Sequence, residues 1–88
     1  MAANRYFIQG RVQGIGYRYF VLREAERLGI SGFTRNLPDG RVEVLAEGRD
    51  EDLAALEGRL KEGPAFSDVS NVERVPIAPR GDQGFQIR

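Results

Sequence analysis

The residues of this chain best placed to do chemistry are Gln13, Gly14, Ile15, Gly16, Tyr17 and Arg18. They join a run of period-two alternation to a run of helical spacing through two glycines, and they end in an arginine. Successive main-chain N–H groups of a glycine turn, together with the unpaired N–H groups of a helix start, converge on a small anion. A guanidinium can then close the site with paired hydrogen bonds. The same residues also suit a plain tight turn that lets strand and helix pack closely, and Gly-x-Gly ahead of a helix does not by itself separate the two readings.

The inventory of the chain narrows the chemistry further. It contains no histidine and no cysteine. A serine or cysteine nucleophile activated by histidine cannot be built, and neither can a disulfide or a thiolate metal site. If the chain is an enzyme, its chemistry is expected to be mostly positioning. Thirteen basic residues, all arginine except Lys61, balance thirteen acidic ones, so the chain lacks the net positive field of a protein that grips nucleic acid by its phosphates. No stretch approaches the ~18 apolar residues of a membrane span, and Met1 to Arg5 leads into a strand without a signal-peptide core. A cytoplasmic protein with no membrane partner is expected.

The elements that must position the loop follow from periodicity. Tyr6, Ile8, Gly10 and Val12 alternate with Phe7, Gln9 and Arg11 and predict a strand over 5–12, with Gly10 marking a close backbone approach. Tyr17, Phe20, Val21, Ala25 and Leu28 recur at helical spacing, and Gly29 supplies the stop. A second strand is predicted over 30–35. The turn residues Asn36 to Gly40 then lead into an alternating run over 41–47, making a hairpin. Asp50 is expected to cap a second helix with Leu53, Leu56 and Leu60 on one face, ended by Gly63-Pro64. A poorly phased fourth strand over 69–77, in which Pro76 implies an edge or a bulge, precedes a short last strand in Gly84 to Arg88.

The order βαββαβ, with two helices that each need an apolar surface, predicts an α+β, ferredoxin-like sandwich. Its four-stranded antiparallel sheet carries both helices on one face, and a short C-terminal strand is added. With no repeat, linker or low-complexity tract, the 88 residues read as one domain.

At this point the chain resembles the acylphosphatase family. Gly10 to Arg18 is similar to that family's first signature. Gly32-Phe33-Thr34-Arg35-Asn36-Leu37-Pro38-Asp39-Gly40-Arg41-Val42, followed by Gly48, is similar to its second. The resemblance spans essentially the whole chain, with variations such as Thr34 confined to packing positions. It implies a metal-independent, cofactor-free hydrolase that cleaves the carboxyl-phosphate bond of acyl phosphates to a carboxylate and inorganic phosphate. By motif position it implies that Arg18 binds the phosphate and that Asn36 orients the attacking water. The main chain from Gln13 to Arg18 would hold the phosphoryl oxygens.

That activity suits the residues present. A carboxylate is a good leaving group, so no general acid is required, and the task reduces to holding oxygens, spreading charge and placing a water in line. Inorganic phosphate or sulfate is expected to compete for the loop, and a monomer is expected. Two other readings lose ground. The third strand lacks the aromatic pattern of an RNA-recognition sheet, and use as a domain within a larger carbamoyl-transfer protein is not the expectation.

Overall fold

The computed structural model describes residues 1–88. Its elements run β1 (Ala2–Arg11), α1 (Tyr17–Leu28), β2 (Ser31–Asn36), β3 (Val42–Gly48), α2 (Asp50–Glu62), β4 (Asp68–Ile77) and β5 (Phe85–Ile87). The sheet order is β4-β1-β3-β2-β5. The first four strands pair antiparallel as expected. The short last strand lies parallel to β2, so the five-stranded sheet is mixed. The fold is a ferredoxin-like sandwich with both helices on one face.

Small shifts of boundary have local causes. Ile30 sits outside β2 because its N–H closes the end of α1 on Ala25 O at 2.9 Å, while the Gly29 N–H reaches Glu26 O at 3.2 Å. This paired closure is the usual way a left-handed glycine ends a helix. Asp50 is the first residue of α2 and not its cap. Arg49 holds the cap position in an extended conformation with no side-chain hydrogen bond to the helix N–H groups, and Asp50, Glu51 and Asp52 together load the first turn with negative charge. Pro76 lies in β4, which is indeed an edge strand. The ladder between β1 and β4 shifts register at Gln9/Gly10. A Cβ at Gly10 would overlap the Asp68 carbonyl oxygen, the close approach that this glycine allows.

The core lies between sheet and helices. Tyr6, Ile8, Val42 and Val44 from the sheet meet Tyr17, Val21 and Ala25 of α1 and Leu53, Leu56 and Leu60 of α2. Two buried tyrosines add polar fastening. The Tyr17 hydroxyl donates to Leu60 O at 2.6 Å, and the Tyr6 hydroxyl to Leu53 O at 3.4 Å. The first ties α1, and the second the sheet, to main-chain carbonyls of α2.

The face of the sheet away from the helices is also covered. All of β3 is buried, including Glu43 and Glu47. Arg5 and Arg35 bind the Glu43 carboxylate. The segment 78–84 crosses from the β4 edge to the β5 edge over Glu47, whose Oε1 accepts from the N–H groups of Arg80 (2.8 Å) and Gly81 (3.0 Å). Its Oε2 accepts from Asp82 N–H at 3.0 Å. These main-chain donors, Gly81 first, hold the Glu47 carboxyl below its ordinary range.

Candidate active site

The loop between β1 and α1 is anchored by its apolar residues. Val12 and Tyr17 are each 1% exposed, and Ile15 packs against the core. Gly14 and Gly16 alternate with them on the exposed side, at φ +77° and +81°. Nothing lies within 4 Å of where their Cβ atoms would be, so conformation and not space calls for glycine there. Gly16 stands at the cap of α1, and the Phe20 N–H returns to its carbonyl at 3.0 Å. The main-chain N–H groups of residues 13 to 19 reach no protein acceptor.

Two long-range hydrogen-bond routes connect this loop to β2. Gln13 Nε2 donates to both Leu37 O and Arg41 O, each at 2.9 Å. Those carbonyls belong to the turn after β2, which is itself closed by Leu37 N–H to Arg41 O at 2.8 Å and Gly40 N–H to Leu37 O at 3.1 Å. The second route begins at Arg18, whose Nη1 donates to the main-chain oxygen of Arg88 at 3.0 Å. The Arg88 N–H in turn reaches Thr34 O at 2.8 Å. The routes thus reach Thr34 on one side of Asn36 and Leu37 and Arg41 on the other.

Asn36 pairs with Val42 in the ladder, and its Oδ1 is buried with no hydrogen-bond partner. A buried acceptor without a donor costs free energy, and such groups gather where a ligand or water supplies the missing half. Arg18, held at one terminal nitrogen, has its Nε and Nη2 edge without a protein acceptor. That edge is the geometry for a two-point grip on an oxyanion. A cleft of about 170 Å³ lined by Gly14, Gly16, Tyr17, Arg18, Tyr19 and Ile87 opens beside the loop.

The structure thus brings Gln13 to Arg18 and Asn36 onto one end of the sheet. Sequence reasoning missed the roles of Arg88 and Ile87 here, because a partner 70 residues away leaves no local pattern. It also assigned Gln13 only a main-chain part, whereas its side chain ties loop to hairpin. A long polar residue next to two glycines was the available signal.

Fold and loop together define a small α/β sandwich that presents a row of unpaired main-chain donors and one arginine at a strand-to-helix junction. The family model described as Acylphosphatase matches residues 4–87. An acylphosphatase of Solibacter usitatus is 48% identical over 86 residues, spanning 98% of this chain and 90% of its own length. One from Pseudomonas paraeruginosa is 48% identical over 82 residues, at 93% and 90% coverage. The crystal structure of acylphosphatase from Bacillus subtilis superposes with a TM-score of 0.98 at 38% identity, covering 100% of this chain and 99% of that one. The chain belongs to the acylphosphatase family.

Proposed function

We propose that this chain hydrolyses acyl phosphates with the 13–18 loop, Arg18 and Asn36 as its working parts and with no metal ion. The water oxygen attacks phosphorus as the bond from phosphorus to the carboxyl oxygen breaks. The electron pair leaves on the carboxylate, and both hydrogens of the water finish on the phosphate. Little proton transfer to the leaving group is needed, so the absence of histidine is no obstacle.

The main-chain N–H groups of Gln13 to Arg18 hold the phosphoryl oxygens, and the open edge of the Arg18 guanidinium spreads the charge of the transition state. Charge-assisted hydrogen bonds of this type contribute about 1.5–3 kcal/mol each, so several acting together supply a large part of the rate enhancement. The Asn36 Oδ1 accepts a hydrogen bond from the water and aims it. A carboxamide is too weak a base to take the proton, which passes to a phosphate oxygen. One observation carries this assignment: a buried acceptor without a donor stands at the same sheet end as a run of donors without acceptors.

The chain works as one domain and as a cytoplasmic monomer, with inorganic phosphate or sulfate competing for the loop. No helix is long and apolar enough to cross a membrane. The test is hydrolysis of acetyl phosphate by the purified protein, with and without a strong chelator. Turnover should be equal in both and competitively inhibited by inorganic phosphate. Loss of turnover on chelation would overturn the metal-free mechanism.

A further inference from the structure

A second cleft, of about 390 Å³, lies against the first and is lined by Gly16, Tyr19, Phe20, Arg23, Glu24, Arg59 and Pro64. Gly16 and Tyr19 border both clefts, so a molecule whose phosphoryl group sits at the loop can extend into the second without leaving the surface. Its floor is apolar. Phe20 is packed against the core, with the Arg59 guanidinium 5.2 Å from its ring centre. Tyr19 stands at the mouth, 54% exposed, with the Arg23 guanidinium 5.9 Å from its ring centre.

The charges of this cleft do not cancel. Arg59 is engaged by Glu24 (3.2 Å) and Glu62 (3.1 Å), and Glu24 also takes Arg27 at 2.9 Å. Arg27 foremost, with Arg59, keeps the Glu24 carboxyl ionised by holding it below its ordinary range. Arg23 alone among the charged groups lining the cleft has no ion-pair partner, its only contact of note being the Tyr19 ring. A short apolar passage that starts at the loop and ends at an uncompensated guanidinium fits a chain of a few carbons with a negative group at the far end.

Resting on the acylphosphatase reading above, we infer that this cleft receives the acyl part of the substrate, and that Arg23 favours acyl phosphates carrying a second, remote anionic group. Arg23 then acts on specificity, outside the groups that hold the phosphoryl oxygens.

The experiment compares three substrates with the full chain: acetyl phosphate, butanoyl phosphate, and the monoacyl phosphate of the four-carbon dicarboxylic acid, succinyl phosphate. The last two differ mainly by the remote carboxylate. Succinyl phosphate should have a KM about tenfold below that of butanoyl phosphate at low salt, the size of one partly exposed charge-assisted contact. The advantage should shrink as salt is raised. Arg23→Gln should abolish it while leaving acetyl phosphate hydrolysis unchanged, and Arg23→Lys should restore part of it. If acetyl phosphate is hydrolysed but Arg23→Gln leaves the succinyl-to-butanoyl ratio as it was, the cleft assignment is wrong and the activity stands. If none of the three is hydrolysed, the activity itself falls and the inference with it.

Discussion

Asn36 is one of the few side chains in the molecule with a buried polar atom left unsatisfied, and it is the residue whose loss should be most specific. In the proposed mechanism Asn36→Ala removes a single acceptor from the attacking water, so kcat should fall by about 10²–10³ with KM little changed. Steady-state kinetics on acetyl phosphate decide it, and equal mild changes in both parameters would mark Asn36 as a turn residue only. Arg18→Lys replaces a planar fork with a point charge and cannot keep both the Arg88 oxygen and a two-point grip on the phosphoryl group. Both KM and kcat should worsen, and phosphate inhibition should weaken in parallel. Of these residues, Arg18 stands out in the sequence as a candidate because it ends a glycine turn at a helix start, a local pattern. The role proposed for Asn36 came through its resemblance to a longer motif, because an asparagine before Pro-Asp-Gly looks like a turn residue by local chemistry alone. The fastening of Gln13 to Leu37 and Arg41 was not legible at all, since it depends on how two distant segments meet.

The loop and the two helices should respond as units. Gly14→Ala and Gly16→Ala each force a side chain into a left-handed conformation at a cost of about 1–2 kcal/mol, with no clash to relieve. Each should lower Tm by roughly 4–8 °C per kcal/mol in a domain of this size, and the rise in Tm given by added phosphate should be reduced more than the stability itself. Tyr17→Phe leaves the Leu60 carbonyl without its donor and should cost about 1–3 kcal/mol in urea unfolding, because that hydroxyl joins the start of α1 to the last turn of α2. The helices and hairpin were readable from spacing and turn residues, as the leucines of α2 and Gly29 illustrate. The direction of β5 was not, because parallel pairing with β2 is set by how the chain returns across the sheet. The placement of Arg49 at the cap of α2 escaped for a different reason, since three acidic residues in succession offer adjacent candidates for one position.

Over the whole molecule, acid should loosen the strap that crosses the sheet face away from the helices. Glu47 has its folded pKa depressed, so its stabilising share is present above the ordinary carboxylate value of 4.5 and is lost as pH falls below it. Glu24 and Asp39 are depressed too and add to the same decline. Glu47→Gln should therefore begin with a lower urea midpoint at pH 7 and lose less on going to pH 3 than the parent chain does. Glu47 also bears on solubility. The chain closes its own second margin: short β5, with Gly84 and Arg88 at its ends, shields the outer row of N–H and C=O groups of β2, and the Glu47 carboxylate holds the strap that leads there. Release of that strap would turn a finished edge into an open template, so conditions that protonate Glu47 should promote strand-to-strand joining between molecules before they unfold the core.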